Sequence, residues 1–133
     1  MYEGYNATIT DHLKNPRNAG DLPGADVVAT DKNDYCGDIM RLALKVADGR
    51  ITDLRFKTFG CGISIAAGSM MTELAKGKTL VEVQQVTETE IAQALGGLAP
   101  EKLHGAELAA AVLQKAVADY QSQNGIALGP KDK

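Results

Sequence analysis

Two runs of strict alternation joined by a turn dipeptide constrain this chain more than any other feature in it. From Ile39 to Val46 the apolar side chains of Met40, Leu42, Leu44 and Val46 point one way, and Arg41 and Lys45 point the other. Asp48-Gly49 follows, a pair that hairpins favour because glycine accepts the positive φ required. The alternation resumes from about Ile51 to Phe59, with Leu54 and Phe56 set between Asp53, Arg55 and Lys57. The expected product is an antiparallel hairpin with one wet face and one buried face. Val27-Val28-Ala29 adds a short strand, giving a sheet of about three strands.

A sheet with one apolar face needs a cover, and the second half of the chain supplies it. Ile63, Ala66, Ala67, Met70, Met71 and Leu74 fall on one stripe of a helix that Gly77 terminates. Thr79 with Glu82 and Thr87 with Glu90 read as capping boxes that open two short helices, the second stopping at Gly96-Gly97. A last helix begins between Glu101 and Gly105 and runs to about Tyr120, with Leu108, Val112, Ala116 and Tyr120 on its core face. A first helix spans about Tyr2 to Leu13, with Tyr5, Ile9 and Leu13 on one side. Pro16 ends it and opens an irregular connector, Asn15 to Gly20. The fold class is α+β: a small antiparallel sheet covered by helices, in a single domain over 1–133 whose tail after about 124 frays.

At 133 residues, 44% of them hydrophobic, the chain buries a core without needing a staple. Seventeen acidic residues against fourteen basic ones leave a formal charge of −3, which speaks against nucleic-acid binding. The Ala-rich stretch near the end is broken by Lys115 and Asp119, so no membrane span is expected, and the first residues lack the pattern of a signal peptide. The expected compartment is the cytosol.

There, the two cysteines are buried thiols, metal ligands or reactive groups rather than a disulfide. Cys36-Gly37-Asp38 occupies the loop before the first long strand, and Gly37 lets the thiol and the carboxylate face one point. Gly60-Cys61-Gly62 lies where the next strand gives way to the long helix, so its thiol feels a helix N-terminus that favours the thiolate. His104 falls near the start of the last helix. Cys, Cys, His and Asp suit zinc or iron–sulfur chemistry, although residue types alone leave buried-thiol packing equally open. Gly77-Lys78-Thr79 looks like part of a phosphate loop but reads as a helix stop followed by an N-cap, and no Ser/His/Asp triad is legible.

At these residues the sequence resembles the U-type iron–sulfur cluster scaffold family, the group of IscU, SufU and the N-terminal domain of NifU. His12-x-x-Asn15-Pro16-Arg17-Asn18-x-Gly20 is similar to the family's N-terminal signature, and Cys36-Gly37-Asp38 to its first ligand motif. Phe56 to Gly62 resembles the second ligand motif, and Ser69 to Glu73 with Gly77-Lys78-Thr79 the helix beyond it. Leu98 to His104 resembles the approach to the third. The resemblance implies a scaffold that accepts iron, takes sulfane sulfur from a cysteine desulfurase and passes a labile cluster, a 2Fe-2S unit in this reading, to recipient apo-proteins. It implies ligation by Cys36, Asp38, Cys61 and His104, with Cys36 and Cys61 as sulfur acceptors. Lys102 becomes an auxiliary group able to pair with Asp38, and Asn15, Pro16, Arg17 and Asn18 the partner-facing segment. A scaffold of this kind is stoichiometric, not an enzyme.

Two departures qualify the resemblance. Where the family usually carries a third cysteine after the histidine, this chain has Gly105. Two thiolates with imidazole and carboxylate hold a cluster less firmly than three would. The alternative is therefore a zinc-binding paralogue that regulates a desulfurase or accepts its sulfur, with SufU-like sulfurtransferase chemistry a third reading. Leu98-Ala99-Pro100-Glu101-Lys102 stands where chaperone-dependent members have Leu-Pro-Pro-Val-Lys, so the resemblance does not extend to recognition by a dedicated Hsp70.

Overall fold

The computed structural model describes residues 5–33 and 37–124. Three strands, β1 (Val27–Lys32), β2 (Ile39–Ala47) and β3 (Arg50–Phe59), form an antiparallel sheet in the order β1-β2-β3. The β2–β3 turn places both Asp48 and Gly49 at positive φ, 55° and 72°, as its dipeptide required. Met40, Leu42, Leu44, Leu54 and Phe56 are buried on one face. β1 runs to Lys32 rather than stopping at Ala29, because Thr30, Asp31 and Lys32 pair with Arg41, Met40 and Ile39. That strand is made by its neighbour more than by its own sequence.

Among the described residues five α-helices accompany the sheet: α1 (Ala7–Lys14), α2 (Gly62–Ala75), α3 (Leu80–Val83), α4 (Glu88–Ala94) and α5 (Leu103–Asn124), with a 3₁₀ turn at Pro100–Lys102. Helix α1 starts later than its apolar spacing suggests. Asn6 is its N-cap and accepts the Ile9 N–H at 2.8 Å, which leaves Tyr5 outside the helix and His12 among its buried residues. The Thr79/Glu82 box forms with both reciprocal bonds, the Thr87 hydroxyl accepts the Glu90 N–H, and Gly77 sits at φ 82° just past the end of α2. The frayed tail expected after about 124 lies outside the described residues.

Helix α2 organises the fold. It is buried on far more than one stripe, with Ser64, Gly68, Ser69 and Thr72 enclosed alongside Ile63, Ala66, Ala67 and Met71. Its small residues permit this: a Cβ on Gly68 would stand 2.6 Å from the Phe56 ring and 3.1 Å from Met40 Cε. The same helix fixes the connector. The Ser69 hydroxyl oxygen accepts the Arg17 N–H at 2.8 Å and shares a hydrogen bond with His12 Nδ1 at 2.7 Å, while Asn18 Nδ2 donates to Thr72 Oγ1 at 3.0 Å. The connector then lies along β3, with Phe56 N–H on the Asn18 carbonyl and Gly20 N–H on the Phe56 carbonyl, each at 2.9 Å.

Replacing Gly68 with alanine is expected to cost about 1–2 kcal/mol, overpacking less the gain in helix propensity. Equal denaturant midpoints for the two proteins would refute it. Burial, aided by the Arg17 charge, holds His12 below its ordinary value of 6.5. The fold therefore prefers neutral His12, and the stability this preference contributes is complete above the unfolded value. It is lost as pH falls from about 6.5 towards the lower folded value. Denaturant titrations between pH 7.5 and 5 should show a flatter acid limb for His12→Gln than for the parent.

Candidate metal centre

Three element ends converge beside the N-terminus of α2. Asp38 stands just before β2, in step with the inward positions Met40, Leu42 and Leu44, and is 4% exposed. Cys61 is the N-cap residue of α2, at φ −76° and ψ 167°, and its side chain is exposed. His104 is the second residue of α5. One ligand atom from each of the three lies within 4.8 Å of the others, a spacing that one metal ion spans. Sγ of Cys61 is 3.5 Å from His104 Nε2 and 3.4 Å from Asp38 Oδ2. A soft sulfur, a borderline nitrogen and a hard oxygen form a donor set that suits zinc or iron.

The surroundings fix these groups. Asn33 ties two of the segments together: its N–H donates to the Asp38 carbonyl at 2.8 Å and its side chain donates to the His104 carbonyl at 3.2 Å. The Ser64 hydroxyl donates to Asp38 Oδ2 at 2.5 Å. Gly60 leaves room for the carboxylate, since a Cβ there would stand 2.3 Å from Asp38 Cγ. At Gly105 a Cβ would lie 3.1 Å from the backbone of Ile63, so the start of α5 is closed against α2 and the absent side chain leaves no vacant hole.

Of the four ligands expected from the sequence, the structure brings Asp38, Cys61 and His104 together, and Cys36 lies outside the described residues. Lys102 places its ammonium 4.9 Å from the centre of the Tyr5 ring, a cation–π contact. Tyr5 itself reaches the site: burial, then the charge of Cys61, pushes its hydroxyl above the ordinary value of 10.0. Among the connector residues, Arg17 pairs with Asp11 at 2.6 Å, and Pro16 lines an open cleft of about 400 Å³ together with Ala19, Phe59 and Ile65. Phe59 is 75% exposed, paired across the sheet with the exposed Ile39.

Ser64 escaped the sequence reading, as did the roles of Gly60 and Phe59 within their motif. Phe59 shares the parity of Arg55 and Lys57, which already marks it as outward-facing. Ser64 follows Cys61 by one helical turn, which puts both on one face. Nothing in the sequence signals the role of Gly60, which depends on a contact with a distant loop.

If Gly60 exists to admit the carboxylate, Gly60→Ala should weaken zinc binding by about tenfold or more. Competition against a chromophoric chelator measures it, and unchanged affinity would remove Asp38 from the centre.

The chain has relatives among known proteins. The chain matches the NifU-like N-terminal domain family over residues 4–127. It is 48% identical over 121 residues to the iron–sulfur cluster assembly scaffold protein IscU 1 of Archaeoglobus fulgidus, covering 91% of this chain and 79% of that one. It is 43% identical over 123 residues to the scaffold protein IscU of Aquifex aeolicus, covering 91% and 78%. A Fervidobacterium islandicum structure described as an assembly scaffold for the SUF system superposes with a TM-score of 0.72 at 26% identity, covering 85% of this chain and 96% of that one. An N-terminal NifU-like protein of Brucella abortus shares the fold at a TM-score of 0.71 and 20% identity, covering 89% and 94%. With residues 4–127 matched, nearly its whole length, the chain belongs to the NifU-like N-terminal domain family.

Proposed function

We propose that this protein is a scaffold on which an iron–sulfur cluster is assembled and from which it is handed to recipient apo-proteins. The observation that carries the reading is the convergence of Asp38, Cys61 and His104 within 4.8 Å in a chain of this family. Cys36, two residues from Asp38 in sequence, is the fourth ligand of the proposal. The cargo is iron and sulfide, a 2Fe-2S unit, and zinc suits the same donors as an alternative occupant.

Sulfur arrives as sulfane sulfur on a cysteine desulfurase. The thiolate of Cys61, exposed at the helix N-terminus, attacks the outer sulfur of the desulfurase persulfide. A persulfide forms on Cys61 and the desulfurase cysteine leaves as thiolate; Cys36 is the second acceptor. Reduction of that sulfane sulfur to sulfide takes two electrons from an external thiol or electron-transfer protein. Asp38 contributes a hard, exchangeable oxygen and His104 a nitrogen, which suits a cluster that must leave again. Lys102, whose ammonium lies 4.9 Å from the Tyr5 ring, is the proposed partner of incoming anionic sulfur. The face formed by Asn15, Pro16, Arg17 and Asn18 beside exposed Phe59 is the proposed desulfurase contact. The protein acts stoichiometrically, as a single domain over 1–133, in the cytosol. Among the described residues no helix is long and apolar enough to cross a membrane.

Anaerobic reconstitution with ferrous iron, cysteine, a desulfurase and dithiothreitol tests the reading through visible absorption. The parent should develop cluster bands, and Cys36→Ala and Cys61→Ala should not. A chain that takes up zinc but never builds a cluster would replace the scaffold by the zinc-binding alternative. Gly105→Cys adds a third thiolate once α5 shifts by a few tenths of an ångström from Ile63. That variant should surrender its cluster to a chelator more slowly than the parent; equal decay would make the glycine irrelevant to retention.

A further inference from the structure

The carboxylate of Asp38 is held from two sides, and the two sides treat its oxygens differently. Oδ1 lies towards Gly60, 2.5 Å from where a Cβ would stand. Oδ2 faces Cys61 Sγ at 3.4 Å and receives the Ser64 hydroxyl at 2.5 Å. Ser64 is fully buried, and its oxygen is 3.8 Å from Cys61 Sγ. The oxygen turned towards the cysteine is thus the one that the serine grips. A carboxylate free to rotate about its terminal bond must be ordered before it can bind an ion. One whose rotation is already fixed is spared that cost.

We propose that Ser64 is the positioning residue of this centre. Its hydroxyl locks Asp38 so that Oδ2 faces Cys61 and His104, while the serine itself stays off the metal. The inference rests on reading Asp38, Cys61 and His104 as the groups that hold the ion. A serine that merely satisfied a buried polar position would support the fold without coupling to ligation.

A double-mutant cycle separates the two. Zinc affinity is measured by chelator competition for the parent, Ser64→Ala, Asp38→Ala and the double variant. Ser64→Ala should weaken zinc about 10–100-fold when Asp38 is present. In the Asp38→Ala background it should change affinity by less than about twofold. The cobalt(II) absorption spectrum of Ser64→Ala should move towards that of Asp38→Ala, since both lose the same oxygen. An equal loss in both backgrounds, or none in either, overturns the proposal. Should Ser64→Ala leave the metal-free chain unfolded, Ser64→Thr, which keeps the donor, takes its place. Affinity within about threefold of the parent supports the positioning role, and a loss as large as that of Asp38→Ala overturns it. A parent that binds neither zinc nor cobalt removes the metal centre itself. A parent that binds both but shows no coupling removes only the role of Ser64.

Discussion

The close approach of α2 to β3 is the contact on which the rest of this structure depends. It exists because Gly68 presents no Cβ to the Phe56 ring. A helix seated that deeply cannot keep a polar side, so its serines and threonine must find partners inside the molecule. Ser69 and Thr72 find them in the connector, at the backbone and side chains around Arg17 and Asn18, and Ser64 finds Asp38. Packing density and polar satisfaction are here two sides of one constraint. Sheet, helix and connector are locked together by contacts that involve none of Asp38, Cys61 and His104.

The candidate centre uses that rigidity without belonging to the core. Its three groups come from the start of β2, the N-cap of α2 and the first turn of α5, element ends that the core holds in register. Two glycines allow the ends to meet: Gly60 makes room for a carboxylate and Gly105 lets α5 close on Ile63. Donors on separate, well-anchored elements suit a site whose cargo must come and go, because no single loop has to refold around the ion.

Much of this was legible in the sequence where the signals are local. The hairpin needed only a period of two and Asp48-Gly49. The end of α2 needed only Gly77, and the opening of α3 only the Thr79/Glu82 pair. What the sequence did not disclose depends on distant segments. The outer half of β1, Thr30 to Lys32, is a strand because β2 lies beside it. Asn6 took the cap of α1 and moved Tyr5 out of the helix towards Cys61. The candidate donors Cys36, Asp38, Cys61 and His104 were readable as residue types, and the meeting of sheet ends and helix starts pointed to the convergence seen for Asp38, Cys61 and His104. The clamp on Asp38 was not readable, because Gly60 and Ser64 matter only through a carboxylate more than twenty residues away.

The contrast in exposure between Cys61 and Asp38 sets an order of encounter. The thiol stands at the surface while the carboxylate is 4% exposed behind it. By exposure, the sulfur is the most accessible of the three donors, the imidazole is next and the carboxylate is last. Sulfur donors and thiophilic ions are therefore screened by the outermost group. A hard cation gains its preferred partner only after passing a ligand that holds it poorly.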